Sequence, residues 1–346
     1  SGPFVLTKAI PGASMAFDRN PNYFKTGLPY LDGIDFVIVG DQATREAAFL
    51  TGKQLVISLF APQYMDQLEG LVAQGKMNLT INRGGCGITG IYFPSPKPPF
   101  TDIKVRKAIN LALDRKALAT IAWGAKEKYY TPTLLFFGRG QDFATPEEQI
   151  WNVVPGWGTG AKKQQEIDEA KKLMVDAGFA NGIDMGLITN NIPPFGHYAI
   201  AIPAQQQLAK IGIRAKIEEV TSPQKAIRME ALDYQLGSAT TCVLTRDADE
   251  VIGGYWITGA ARNVTGTSDP EIDDLYIKMS SELDPVKRKE FFFKMQDKIV
   301  LQDVRYAPMT RSDSWVWSWP SFKGYYPGLD GMGQTGKRFD HVWIDK

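Results

Sequence analysis

The sequence predicts an α/β layer architecture, and three observations carry that reading. Strand-like and helix-like segments alternate from residue 34: an Ile/Phe/Val run at Ile34–Val39, a capped helix after Asp41, an apolar run at Leu55–Leu59 and a helix opening near Pro62. The same alternation returns as a second block between Gln164 and Thr241. At 346 residues the chain is long for one domain, so two or three are expected.

Taken in order, Phe4–Ile10 and Ser14–Arg19 predict a hairpin around Pro11–Gly12, followed by a Pro/Gly/Asn-rich loop from Asn20 to Gly33. The helix capped by Asp41 runs to Leu50 and is closed by Gly52. Leu79–Tyr92 is interrupted by Gly84–Gly85–Cys86–Gly87, where the backbone is expected to change direction. Four prolines keep Pro94–Phe100 extended, and Thr101 or Asp102 caps a helix with Val105, Ala108, Ile109, Ala112 and Leu113 on one face. Trp123–Trp157 reads as a long irregular aromatic loop of the kind that is usually functional.

In the second block Gln164–Ala177 is a helix stopped by Gly178, Asp184–Thr189 a strand, Tyr198–Lys210 a helix and Ile213–Val220 a strand. Pro223–Leu232 is a helix and Tyr234–Thr241 a strand. Asp269–Pro270 and Asp284–Pro285 each open a helix, an acceptor followed by proline being a helix-start signal. Arg305–Arg311 reads as a strand, and alternation puts Trp315, Trp317 and Trp319 on one face of another.

Composition removes several function classes. The net charge is +1 with no Lys/Arg run, which argues against a nucleic-acid or anionic-membrane surface. No stretch approaches 18 consecutive apolar residues. The first residues, SGPFVLTKAI, lack the charged start, apolar middle and cleavage site of a signal peptide, and they open mid-pattern without Met; a mature or truncated piece of something longer is expected. The two cysteines, Cys86 and Cys242, allow at most one intrachain disulfide, and their spacing fits no zinc or CxxC pattern.

The two histidines, His197 and His341, stand in no metal-binding pattern, and neither a nucleophile elbow nor a phosphate loop occurs. Cys86 has no histidine near it in sequence to activate it. Asp247/Asp249 and Asp273/Asp274 offer paired carboxylates for a hydrolase, but charged helix starts explain both. No catalytic residue, metal or cofactor is expected.

The stretch with most chemistry is Gly237–Trp256, GSATTCVLTRDADEVIGGYW. It reads as a strand end, a polar turn and a helix start carrying two aromatics. Two readings stand on these residues alone: a pocket floor that holds a ligand by hydrogen bonds and stacking, or a plain junction capped by Asp247 and Glu250.

Several stretches resemble one family, the extracellular solute-binding proteins of peptide/nickel-type ABC importers (family 5). They are Arg19–Asn20–Pro21–Asn22–Tyr23–Phe24 with Gly27 to Ile34; Pro98 to Ile109, continuing through Ala112–Leu113–Asp114–Arg115; Glu169 to Met174 with Ala177–Gly178–Phe179; Gln207–Leu208 with Ile211–Gly212–Ile213; and Asp269 to Asp273. Five motifs in the expected order make the likeness specific. The resemblance implies a two-lobed periplasmic-binding-protein-like fold (type II) that closes on a solute and hands it to membrane permease subunits. It implies 1–84 as part of lobe one, 85–311 as lobe two and 312–346 as the return to lobe one. Family members are longer at the N-terminus, so an absent segment or a second chain is expected to complete lobe one, and the resemblance implies a periplasmic or lipid-tethered protein, anchored through that segment. The location implied is periplasmic or extracellular.

The resemblance also sets Gly237–Trp256 at the ligand-facing edge of lobe two. Peptide-binding relatives carry an acidic residue two positions past the Cys242 equivalent, to pair with the peptide's amino group; here it is Leu244. A buried ammonium without its carboxylate is costly, so a sugar, an opine-like solute or a small organic acid is expected in place of a free peptide, with an oligopeptide or dipeptide as the alternative. The implied ligand residues are Thr240, Thr241, Cys242, Arg246, Asp247, Tyr255, Trp256 and Asn263, with Phe136 and Phe137 stacking. Solvent exposure is the competing role for Arg246, and core packing for Phe136 and Phe137. Some oligopeptide-binding relatives join the two cysteine regions, which makes Cys86–Cys242 a candidate bridge worth about 4–5 kcal/mol on the chain-entropy model. A sensor module that has kept the fold but lost transport is a third reading.

Overall fold

The computed structural model describes residues 2–58, 62–82, 88–123, 126, 129–135, 143–190, 196–241, 247–312, 314–325 and 339–345. The chain divides into two compact units, one formed by residues 1–82 and 314–346, the other by 83–313.

The first unit opens with the predicted hairpin, β1 (Phe4–Ile10) and β2 (Ser14–Arg19), joined by β3 (Gly33–Val37) into an antiparallel sheet in the order β1-β2-β3. Gly12 turns the hairpin at φ +72°, a conformation that costs glycine nothing. Asp41 caps α1 (Gln42–Leu50), accepting from the Thr44 N–H at 2.8 Å. After β4 (Val56–Ser58), α2 (Met65–Ala73) and β5 (Asn78–Asn82) the chain leaves this unit and later returns as a strand, Ser314–Ser318, which sits between β4 and β5. The core here is Phe49, Ile57, Met65 and Leu68 under Trp315 and Trp317. Trp319 lies just past that strand, its indole N–H donating to the Phe49 carbonyl at 2.9 Å.

The second unit is built on a five-stranded sheet. Its elements are β6 (Ile88–Tyr92), α3 (Ile103–Ala112), α4 (Arg115–Trp123), β7 (Tyr130–Pro132), α5 (Glu147–Val153), α6 (Gly160–Asp176), β8 (Ile183–Thr189), α7 (Gly196–Ala209), β9 (Ile213–Glu219), α8 (Ser222–Glu230), β10 (Leu236–Thr241), α9 (Ala248–Tyr255), α10 (Pro270–Ser281), α11 (Pro285–Gln296), β11 (Tyr306–Pro308) and β12 (Thr310–Ser312). The strand order is β11-β6-β10-β8-β9. β8, β9 and β10 run parallel, and β6 is antiparallel to both β10 and β11. Helix α7 packs on β8, β9 and β10, as a crossover helix between parallel strands must.

Four details differ from the sequence reading. Pro94–Phe100 is not extended: it folds into two turns, closed by Lys97 N–H to Pro94 O at 2.9 Å and Phe100 N–H to Lys97 O at 2.8 Å. Trp123–Trp157 is not irregular throughout, because it holds β7 and the short α5, whose seven residues are too few to show a helical period. Arg305–Arg311 is two strands rather than one: β11 pairs with β6, and after Met309 the chain pairs with β7 as β12. Helix α6 begins four residues earlier than expected. Its first turn contains Lys163, which turns inward instead of facing solvent.

That lysine belongs to a buried polar knot where α3 ends. A helix leaves its last carbonyls without partners, and here two cations take them. The Lys163 ammonium donates to Leu111 O (3.1 Å), Leu113 O (3.0 Å) and Gly156 O (2.8 Å), while Arg115 donates to Asn110 O (2.8 Å) and Leu113 O (3.1 Å). Glu166 pairs with Lys163 at 2.6 Å and accepts from the Gly156 N–H at 2.8 Å. Burial pushes Arg115 down to about 9 and Lys163 down to about 8.

Candidate functional site

In open α/β sheets ligands bind outside the carboxyl ends of parallel strands, where backbone and loops leave a crevice. In the second unit that edge is formed by the ends of β8 and β10, with the start of the antiparallel β6 beside them. Small hydroxyl residues gather there. Thr89 and Thr240 share a hydrogen bond at 2.9 Å, directly opposite each other in the β6–β10 register. Thr241 is buried and accepts from the Tyr92 hydroxyl at 3.5 Å. Burial holds the Tyr92 proton well past the ordinary tyrosine range, so the ring remains a neutral donor. It stacks on Tyr306 with centroids 5.0 Å apart.

One strand over, Thr189 ends β8 in full burial, its hydroxyl unpartnered among the described residues. Asn190 follows, donating to Ser222 Oγ at 2.8 Å and accepting from the Lys225 ammonium at 2.7 Å. Lys225 also donates to the Ser238 carbonyl of β10 at 3.1 Å. One lysine therefore ties the end of β8 to β10 from α8. Its burial pushes it down to about 8.

The edge is stiffened from the α9 side. Asp247 caps α9, accepting from the Asp249 N–H at 2.9 Å, and receives both terminal nitrogens of Arg288 at 3.0 and 2.5 Å. Arg288 reaches Asp249 as well. The Arg288 hydrogen bonds hold the Asp247 carboxyl below its ordinary range. Both carboxylates sit at the helix start and pair with one guanidinium, an arrangement that organises structure.

The predicted ligand residues separate into groups. Thr240 and Thr241 lie at the strand edge. Trp256 is buried beneath it, 5.0 Å from the Tyr306 ring, with an indole N–H that has no partner among the described residues. Tyr255 is buried, accepts from Arg262 at 2.9 Å and has that guanidinium over its ring at 5.3 Å. Asn263 braces its own loop: its amide donates to Ile257 O (3.1 Å) and Thr267 O (2.6 Å), and its carbonyl accepts from the Thr267 N–H (3.0 Å). Asp247 is committed to the cap and to Arg288. Cys242, Leu244 and Arg246, Phe136 and Phe137, and Cys86 with its candidate bridge to Cys242 fall outside the described residues.

Lys225, Asn190, Thr189 and Thr89 were not singled out in the sequence. Lys225 had one legible signal: it stands four residues before the buried Met229, on the inward face of α8. A polar cleft of about 220 Å³ is lined by Lys97, Gly186, Ile188, Glu218, Arg228 and Gln235. Its Arg228–Glu218 pair is closed at 2.9 Å. Among the described residues no cluster of His, Cys, Asp or Glu is placed to hold a metal, and no helix is long and apolar enough to cross a membrane.

The mixed α/β fold is that of the two-lobed periplasmic binding proteins. The chain belongs to the bacterial extracellular solute-binding proteins, family 5 (Middle), whose model matches residues 1–263. It is 26% identical over 315 residues to the glutathione-binding protein GsiB of Pectobacterium atrosepticum, an alignment covering 86% of this chain and 56% of the relative. Its fold is similar to that of the periplasmic binding protein DppA from Helicobacter pylori in complex with the peptide STSA (TM-score 0.79, 22% identity, 100% of this chain and 63% of that one). It is also similar to AgaA from A. tumefaciens R10 in complex with agropinic acid (TM-score 0.77, 22% identity, 100% and 67%). The chain spans about half the length of the curated relatives it matches.

Proposed function

We propose that the protein is the substrate-binding component of an ABC importer: it captures a small polar solute at the carboxyl edge of β8 and β10 and delivers it to the permease subunits. The role is capture and release without catalysis, in the periplasm or outside the cell. Residues 1–84 and 312–346 are read as lobe one and 85–311 as lobe two. The observation that carries the reading is the edge itself. Thr89, Thr240, Thr241 and Asn190 are neutral hydrogen-bonding groups gathered at the strand ends, in a chain whose family binds solutes.

The solute proposed is a sugar, an opine-like compound or a small organic acid, with Arg246 as the partner of an acid. Leu244 supports this over a free peptide, because no carboxylate stands at that position to meet an amino group. The similarity to a protein solved with agropinic acid supports it too. A peptide or glutathione is the second reading, supported by relatives described as glutathione-binding and solved with a peptide.

Thermal-shift screening against sugars, opine-like acids, di- and tripeptides and glutathione separates the two readings. A saturable shift with a sugar or acid and none with peptides supports the first, and the reverse outcome supports the second. Conversion of any compound into product would overturn the assignment as a binding protein.

A further inference from the structure

The polar cleft of the second unit opens where β8 carries no side chain. Alternation puts Asp184, Gly186 and Ile188 on one face of β8, and the parallel register sets Ile188 beside Glu218 of β9. A glycine inside a strand marks a bulge or the close approach of a ligand or another backbone. There is no bulge here, because the pairing with β9 runs unbroken from Ile183 to Thr189. A Cβ on Gly186 would meet a Glu218 carboxylate oxygen at 2.3 Å, so that carboxylate lies across bare backbone at the floor of the cleft. Lys97, Pro98 and Leu232 form the rest of its lining with Arg228, Asp233 and Gln235.

The polar groups around this cleft are only partly used. The Gly186 N–H donates to Gln235 Oε1 at 2.7 Å. A backbone N–H can only donate, so it fixes the polarity of that amide and leaves the Gln235 NH2 as the group on offer, with no hydrogen bond to another described residue. The Lys97 ammonium donates to the Leu232 carbonyl and enters no ion pair among the described residues. Glu218 accepts from Arg228 through Oε2 at 2.9 Å, and Oε1, the oxygen over Gly186, accepts from no described group. The Asp233 carboxylate stands 3.8 Å from Arg228 Nε. Leu232 adds a strained wall: it follows α8 at φ +55°, a left-handed position that helices ordinarily end on with glycine. A non-glycine residue held there at a cleft is a recurrent mark of a ligand site.

We propose that this cleft is a second binding site, for a small zwitterion of the α-amino-acid class. Its carboxylate meets the Lys97 ammonium and the Gln235 amide, its ammonium meets Glu218 Oε1, and its side chain lies on Pro98, Ile188 and Leu232. The charges of the lining select this class. Lys97 and Arg228 balance Glu218 and Asp233, so a ligand with separated charges and no net charge is matched, whereas a net anion or cation leaves one lining charge over. Gln235 stands just before β10, and six residues of strand, about 20 Å, separate it from Thr241 at the other end. The inference therefore does not rest on the solute reading of that far edge.

The test is isothermal titration of the protein with L-leucine, the probe chosen for the apolar wall, and with two analogues. Leucinamide lacks the carboxylate and isocaproate lacks the ammonium. Leucine should bind saturably at one site, and each analogue at least fivefold more weakly. Lys97→Met, at an exposed position, removes the cation that faces the carboxylate. Glu218→Gln keeps the shape and removes the charge that faces the ammonium. Each variant should weaken leucine at least fivefold, with the far-ultraviolet circular dichroism spectrum unchanged. No saturable binding of leucine, an analogue that binds as tightly as leucine, or an unchanged leucine Kd in either variant would each overturn the proposal. None of these results bears on Thr240 and Thr241, so the two sites fail or stand separately.

Discussion

Replacing Arg288 by methionine tests how α9, the helix bordering the candidate site, is held. The guanidinium makes two hydrogen bonds to Asp247 and one to Asp249, donates to Met279 O at 3.3 Å, and lies 5.7 Å from the Phe143 ring centre. Its side chain is 20% exposed, against 46% for Asp247 and 36% for Asp249. Exposed pairs contribute about 0–1 kcal/mol, and breaking a fully buried pair costs about 3–5 kcal/mol. This half-buried, forked pair falls between, at about 2 kcal/mol. For a unit of this size that lowers Tm by roughly 4–8 °C. The pH dependence has a definite sign. The folded Asp247 carboxyl lies below its ordinary range, so its contribution is present above the unfolded pKa and is lost as pH falls through the folded one. Calorimetric melts of the wild type and Arg288→Met should therefore differ fully at about pH 7 and draw together as pH falls below the ordinary carboxylate range. A double-mutant cycle with Asp247→Asn isolates the pair and should return about 1–2 kcal/mol of coupling. A gap that persists unchanged in acid, or a coupling indistinguishable from zero, would refute the argument.

Other outcomes follow from the same geometry. Lys163 and Lys225 are held at about 8 by burial, below their ordinary value of 10.5, so between those pH values the unfolded chain binds more protons and stability rises with pH, by up to about 1.4 kcal/mol per pH unit for each lysine. Urea unfolding of the wild type against Lys225→Met across this window should show the steeper rise in the wild type; parallel curves would contradict it. Gly156 sits at φ +86°, where an added Cβ meets Asn110 O at 2.6 Å and Arg115 Nη1 at 2.8 Å, so Gly156→Ala should cost at least about 2 kcal/mol in thermal melts. Trp256→Ala should cost about 3–5 kcal/mol by leaving a cavity against Tyr306, whereas Trp256→Phe, which removes an indole N–H that has no described partner, should cost under about 1.5 kcal/mol.

Much of the fold was legible because its signals are local. Asp41, Asp269 and Asp284 all cap helices as the sequence implies, and the Pro11–Gly12 turn joins β1 to β2. What escaped depends on distant partners. Nothing local to Arg305–Arg311 says that pairing passes from β6 to β7 at Met309, since both strands are remote in sequence. Lys163 and Lys225 were not singled out, because burial of a lysine is decided by carbonyls supplied from other elements. The candidate site reads in the sequence as a stretch, Gly237–Trp256, and less as a set of roles. Thr240 and Thr241 lie at the strand edge, while Asp247 and Asn263, types equally suited to a ligand, are occupied in capping α9 and bracing a loop. Side-chain type alone does not separate those uses.

The binding reading proposes that a small polar solute is held by Thr89, Thr240 and Thr241 at the ends of β6 and β10. Isothermal titration with the solute that gives the largest thermal shift, in the wild type and in Thr240→Val, tests it most directly. Thr240→Val keeps the β-branched shape and removes one hydrogen-bonding group, a loss of about 1.5 kcal/mol. One-to-one binding is expected, weakened about tenfold in the variant, with Tm lowered by no more than roughly 2–4 °C for the lost Thr89–Thr240 hydrogen bond. A solute that binds both proteins with the same Kd would place recognition elsewhere and contradict it.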